Sequence, residues 1–236
     1  FCHTDSHEST HTDPSYLEEN YYVFDEIKDN YYDGFIITGA PVEQIPFESV
    51  DYWPEMKTYF EWAKTHAFST LHFCWGAQAA LYYYYGIEKR LLPAKLFGIF
   101  EYQLTQNHHP RLRGFDDRYF NPQSRHTAIN DIQVYNTPQL DILSRSVENG
   151  INIIGTPDHR RFFVLGHFEY DRRTLEEEYL RDKKKGLPIA VPKNYYPGDN
   201  DTKQPYFTWC SYAHLFYNNW LNIVYQETPY DLHAIA

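Results

Sequence analysis

Two breaks in apolar runs carry the residues best suited to covalent chemistry. The first lies in Ser69 to Tyr85, STLHFCWGAQAALYYYY, where an apolar run stops at Cys74-Trp75-Gly76 and a helical run follows. This pattern predicts a strand, a sharp turn and a helix, with Cys74 at the apex as in a nucleophile elbow. The amides of the helix would point back at the sulfur and favour its thiolate. Gly76 leaves the tight turn free of a side chain that would collide with the neighbouring strand. The second break lies in Arg161 to Tyr170, RFFVLGHFEY, where Gly166 ends the run and delivers His167 and Glu169. An imidazole can exchange protons with a thiol while a carboxylate holds its far nitrogen. Each motif alone has an ordinary explanation, since a lone cysteine in an apolar run is commonly core and a strand-end histidine beside a solvated glutamate is unremarkable. Complementary chemistry at two strand ends favours a Cys74-His167-Glu169 triad.

Other elements must bring these ends together. Phe35-Ile36-Ile37-Thr38-Gly39 is a short β-branched run closed by glycine and predicts a buried parallel strand. The turn after it, Thr38 to Glu43, would lie at a strand carboxyl end, where open α/β sheets bind ligands. Its backbone amides, Ala40 among them, could join that of Trp75 in an oxyanion hole; a plain βα turn is the alternative. Trp53 to His66 has apolar residues at helical intervals, with Pro54 acceptable at a helix start. A short helix is expected within Tyr22 to Asn30 and strands at Leu96 to Leu104, Leu140 to Ser146, Ile151 to Thr156 and Arg161 to Gly166. Arg111 to Ser124 reads as a polar, aromatic loop. Thr174 to Lys185 reads as a helix with glutamates early and lysines late, and Trp209 to Tyr225 as a helix packed on the body.

Composition narrows the class. A chain of 236 residues with 42% hydrophobic content can bury the core of one α/β domain, and the expectation is a single domain over residues 1–236. A net charge of −11 without a basic stripe makes nucleic acid and anionic membrane surfaces poor partners. With no long apolar run there is no membrane span, and the polar N-terminus is not a signal peptide. Cys2, Cys74 and Cys210 form no CxxC pair, so a reduced, cytoplasmic protein is the simplest reading. His3, His7 and His11 would share one face of a helix and could hold a metal, but the surrounding Thr, Ser, Asp and Pro14 favour a solvated loop, and no metal site is expected.

The stretches YDGFIITGAPVE, YWPEM, STLHFCWGAQAALYYYYGI, LPAKLFGIFE, RGFDDRYFNPQSRHT, GHFEYDRRTLEEEYLRD, VPKNYYP and NWLNIVYQETPYDL resemble the homoserine O-acyltransferases, also called homoserine transsuccinylases, over nearly the whole chain. The resemblance implies a class I glutamine amidotransferase-like (flavodoxin-like) fold, a mostly parallel sheet flanked by helices, without the family's N-terminal segment and its Met-Pro-Lys-Lys turn. It implies that Cys74 accepts the acyl group from a CoA thioester, that His167 serves as base and acid, and that Glu169 orients it. Lys95, Ser124 and Arg181 fall on its substrate-binding positions, and a guanidinium suits an amino acid's carboxylate. Glu43 stands where the family has glutamate with acetyl-CoA and glycine with succinyl-CoA; a carboxylate there would repel succinyl's own. Acetyl-CoA is thus the expected co-substrate, with no other cofactor, L-homoserine the acceptor and a homodimer the assembly.

Two departures from the family pattern stand out. Trp209-Cys210-Ser211-Tyr212-Ala213-His214 replaces the usual Trp-Arg-Ser-His-Gly-Asn, and Phe168 replaces a small residue or proline. A bulkier wall at Phe168 would favour a shorter acceptor, which makes L-serine the runner-up. Glutamine amide hydrolysis on the same fold and a non-catalytic binding role are the remaining readings.

Overall fold

The structure, a computed structural model, describes residues 1–7, 12–106 and 109–235. Its centre is a seven-stranded sheet in the order β1-β2-β7-β6-β5-β3-β4. The strands are β1 (Tyr32–Ile37), β2 (Ala67–Phe73), β3 (Lys89–Leu104), β4 (Arg118–Ile129), β5 (Asp141–Ser146), β6 (Gly150–Gly155) and β7 (Arg161–Val164). Only β1-β2 and β2-β7 pair in parallel; β7-β6, β6-β5, β5-β3 and β3-β4 are antiparallel. The α/β class holds, but the sheet is mixed rather than mostly parallel. Short turns join β5 to β6 and β6 to β7, and a short connection can only reverse the chain, whereas a parallel crossover needs an intervening helix.

Helices α1 (Pro14–Asn20) and α2 (Phe24–Ile27) precede the sheet. The longer helices are α3 (Trp53–His66) and α4 (Cys74–Tyr85), then, beyond the short α5 (Asp131–Tyr135), α6 (Thr174–Lys184) and α7 (Cys210–Glu227). Alternation along β7 explains the layering. Phe163 packs with Trp53 and Phe60 of α3 and Ala77 and Leu81 of α4, while Phe162 and Val164 pack with Phe216, Trp220 and Val224 of α7. A strand covered on both faces is apolar at every position, as this run is. Trp220 also reaches across the sheet edge and donates Nε1 to Oγ of Ser69 at 2.9 Å. Helix α6 packs through Leu175 and Tyr179 against Phe97 and Ile99 of β3.

One segment departs from the sequence expectation. Arg111 to Ser124 reads as loop, yet β4 begins at Arg118 and pairs with β3 along most of its length. The polar residues that suggested a loop face inward. Asn121, Gln123, Arg125 and Thr127 are buried, and so is Tyr119. Asn152 donates Nδ2 to the Tyr119 hydroxyl at 2.7 Å and to Oδ1 of Asn121 at 3.3 Å, and Tyr119 and Ser144 share a 2.6 Å hydroxyl contact. Gln123 donates Nε2 to Oδ1 of Asn152 at 3.0 Å and accepts from Nε of Arg125 at 2.9 Å. The Arg125 guanidinium further donates to the carbonyls of Thr127 and Asn149. Buried polar groups are tolerated when they satisfy one another, so a strand can be polar on its covered face.

His72 on β2 gives the fold an acid limit. It is fully buried, stacked on Phe163 at 5.0 Å, and donates Nδ1 to the Phe162 carbonyl at 3.1 Å. Burial depresses its pKa to about 4, with Arg161 adding to the effect and the Phe162 hydrogen bond opposing it. The unfolded chain therefore takes up this proton near the ordinary value of 6.5, while the folded chain resists until about 4. Stability is lost as pH falls through that window, by on the order of 3 kcal/mol for this one group. Chemical denaturation of His72→Phe from pH 7 to 4 is expected to show a slope shallower by about one proton than the parent; equal slopes would remove His72 from the acid response.

Candidate active site

Cys74 and His167 meet because of strand direction. Strands β2 and β7 are parallel, and Phe73 is in register with Val164. The chain thus leaves both strands at the same end of the sheet, with Cys74 directly after one and His167 shortly after the other. Cys74 has φ 46°, a left-handed conformation that a non-glycine side chain adopts only under constraint. The expected elbow is therefore present, at the first residue of α4, where helix amides favour negative charge. A Cβ on Gly76 would lie 2.6 Å from the Thr38 carbonyl, so glycine is required for α4 to approach the end of β1. The turn carrying Ala40 packs over this elbow: a Cβ on Gly39 would be 3.2 Å from Cβ of Cys74 and 3.7 Å from the amide nitrogen of Trp75.

His167 is 5% exposed and donates Nδ1 to Oε1 of Glu169 at 2.6 Å. Its backbone amide donates to the Pro122 carbonyl of β4 at 3.0 Å. A Cβ on Gly166 would fall 1.6 Å from Oδ1 of Asn121, so the polar face of β4 seats the loop that carries the histidine. Burial penalises the imidazolium, but negative charge at Cys74 and Glu169 outweighs that cost and raises the pKa of His167 well above its ordinary value. Nε2 of His167 makes no geometrically good hydrogen bond among the described residues, although Cys74 acts on it electrostatically. Such contacts are commonly loose without substrate. Tyr170, which sequence reasoning passed over, stacks on the imidazole at 4.1 Å and 17°, and its carbonyl accepts from Nε1 of Trp209 at 2.9 Å. Burial, and then the charges of Glu178, Cys74, Glu169 and Glu43, push the Tyr170 phenol strongly upward, so it stays protonated among the charged groups of the site.

Lys95, Ser124 and Arg181 converge on a residue that was not singled out, Glu178. Lys95 Nζ is 2.5 Å from Glu178 Oε1, Ser124 donates Oγ to the same oxygen at 2.7 Å, and Arg181 lies 4.0 Å from it. Arg181 is half exposed and tied to Asp182 through Nε at 2.8 Å. Glu178 escaped notice because three consecutive glutamates near the start of a helix satisfy the dipole pattern without any site. Its spacing of three from Arg181 was the available signal. Glu43 is held at both oxygens, Oε1 by the His126 amide at 2.8 Å and Oε2 by the Thr127 hydroxyl at 3.0 Å.

Phe168 corrects an expectation. It is buried and stacks on Phe216 at 4.8 Å and Tyr119 at 5.9 Å. The turn after β7 sends its side chain into the apolar layer under α7, so it is no wall of the site and gives no reason for a shorter acceptor. Of the N-terminal histidines, His3 contacts the Thr4 carbonyl and His7 contacts Asp51, in a non-helical stretch; His11 lies outside the described residues. No cluster of His, Cys, Asp and Glu suited to a metal occurs among the described residues, and none of their helices is long and apolar enough to cross a membrane.

Comparison with known proteins places the fold and the family. The chain resembles solved glutamine amidotransferases from Thermotoga maritima (TM-score 0.59, 12% identity, 81% of this chain and 78% of that one) and Methylobacillus flagellatus (TM-score 0.60, 14% identity, 88% and 87%). At such identities the likeness establishes the fold alone, the expected class I amidotransferase type. A homoserine O-acetyltransferase of Agathobacter rectalis is 52% identical over 232 residues, covering 98% of this chain and 75% of that protein. Another from Lactococcus lactis subsp. cremoris is 51% identical over 226 residues, covering 95% and 71%. The model of the homoserine O-succinyltransferase family matches residues 1–230, and the chain is therefore an acyltransferase that belongs to that family.

Proposed function

We propose that this protein transfers an acetyl group from acetyl-CoA to the side-chain hydroxyl of L-homoserine through a thioester on Cys74, a step of methionine biosynthesis. The observation that carries this reading is the buried His167, bound to Glu169 at 2.6 Å, with Cys74 and Glu169 both raising its pKa. In the first half-reaction the Cys74 thiolate attacks the thioester carbonyl. The tetrahedral intermediate collapses, and the CoA sulfur leaves with the proton from Nε2 of His167. In the second, neutral His167 takes the proton of the homoserine hydroxyl as that oxygen attacks the acetyl thioester. Collapse frees the Cys74 thiolate beside a protonated His167, and the cycle closes. Glu169 keeps Nδ1 protonated and the imidazolium stabilised in both halves. The amides of Ala40 and Trp75 are the proposed donors to the oxyanion.

The cluster at Glu178 suits an amino acid acceptor. The substrate's ammonium would take a place beside Glu178, and its carboxylate one beside Lys95 and Arg181, with Ser124 completing the polar contacts. At the donor end, the carboxylate of Glu43 would oppose a second carboxylate, which disfavours succinyl-CoA.

Three variants test this assignment, with free CoA and intact protein mass followed for acetyl-CoA and succinyl-CoA. Cys74→Ser is expected to gain no acetyl group and to lose at least about 10³-fold in kcat; parental turnover would exclude the covalent route. Glu43→Gly is expected to shift the donor preference toward succinyl-CoA by about 10- to 100-fold. Glu178→Gln is expected to raise the KM for homoserine by about 10- to 100-fold while acetylation of Cys74 proceeds. Release of ammonia from glutamine without acetyl transfer would instead support amide hydrolysis.

A further inference from the structure

We infer that Lys89, at the start of β3, sets donor specificity by pinning the loop that carries Glu43. The inference rests on the proposed role of Glu43 and extends it. Lys89 opens β3, and its half-buried ammonium donates to two carbonyls of the loop, Glu43 O at 2.6 Å and Ile45 O at 2.7 Å. The same nitrogen lies 4.1 Å from the centre of the Phe47 ring, at the far end of the loop. Three contacts from one cation therefore hold the loop from Glu43 to Phe47. The Glu43 side chain is fixed independently, through the His126 amide and the Thr127 hydroxyl. That hydroxyl is also 2.9 Å from Oε1 of Gln78, one helical turn beyond Cys74 on α4. The carboxylate is thus registered against the helix of Cys74 through Thr127, and the loop backbone that Lys89 holds sets its reach to that clasp.

Room exists for the loop to move. A cavity of about 330 Å³ borders the pin and is lined by Glu43, Phe47, Tyr82, Lys89, Arg90 and Thr127. Without Lys89, the segment from Glu43 to Ile45 would lose its two strongest backbone anchors beside open space. Charged donors to carbonyls are roughly twice as strong as neutral ones, so their loss is not made good by water alone. The carboxylate would then sample positions that leave the acyl pocket longer and less negative.

The sign of the effect separates positioning from direct electrostatics. If Lys89 acted only through its charge, removing it would make the pocket more negative and reject succinyl-CoA more strongly. A pin makes the opposite prediction. The test is the ratio of kcat/KM for succinyl-CoA to that for acetyl-CoA, measured with homoserine for the parent, Lys89→Met, Lys89→Arg and Glu43→Gly. The pin predicts that Lys89→Met raises the ratio by about tenfold or more and that Lys89→Arg, which keeps charged donors, restores most of the discrimination. If Lys89→Met proves unstable, Lys89→Gln, which retains neutral donors, is expected to give a smaller rise in the same direction. A parental or lower ratio in Lys89→Met or Lys89→Gln, with a raised ratio in Glu43→Gly, would overturn the role of Lys89 alone. An unchanged ratio in Glu43→Gly would overturn the donor assignment and the inference together.

Discussion

The buried hydrogen-bond ladder on β4 is the constraint on which the rest of the site depends. Tyr119, Asn121, Gln123, Arg125 and Thr127 point into the protein, where Ser144 of β5 bonds to Tyr119, and Asn152 of β6 to Tyr119, Asn121 and Gln123. Leaving a buried polar group unpaired costs about 1–3 kcal/mol, so such a ladder holds its members in one arrangement. Three parts of the candidate site are attached to it. The loop of His167 rests on Pro122 and Asn121, the acceptor cluster takes Ser124, and Glu43 is clasped by residues 126 and 127. One strand therefore registers His167, the Glu178 cluster and Glu43 with respect to each other.

The nucleophile comes from the other side. Parallel pairing of β1, β2 and β7 brings their carboxyl ends to one edge, where the turn after β1 lies against the elbow after β2 and the histidine loop after β7. The positive φ at Cys74 is a local strain that the surrounding packing must overcome. The first residues of α4, from Cys74 to Leu81, are all buried, so the helix cannot rotate to relieve it. Strain and burial together keep the sulfur fixed at the end of the sheet where His167 lies. Tyr170 adds a flat surface against the imidazole, so the ring is held in plane by stacking and at one nitrogen by Glu169.

Electrostatics divides the site into regions with different work. Glu169 is bound to the histidine, Glu178 is shared among Lys95, Ser124 and Arg181, and the Glu43 carboxylate is held by a backbone amide and a hydroxyl. Carboxylates held in such different ways respond differently to a ligand. In the proposed reaction the shared one would exchange its partners for an ammonium, and the clasped one would present its charge to a second carboxylate.

Much of this was legible along the chain. The elbow at Cys74, the His-x-Glu at the end of β7, the helix from Trp53 to His66 and the apolar strands all follow from local patterns, because turn chemistry and burial on both faces leave their mark on consecutive residues. What local pattern could not reveal is how residues far apart share one environment. The polar face of β4 looked like a loop because the partners that make its burial tolerable come from other strands. Phe168 looked like part of the pocket because sequence does not tell which side of a chain turns inward. Glu178 looked like one more acidic residue at a helix start until Lys95 and Ser124 were brought against it. Sequence by itself determined the reactive groups and the elements that carry them; the tertiary structure decided which charges meet, since pairing between distant strands depends on register and on hydrogen bonds that only the assembled sheet can satisfy.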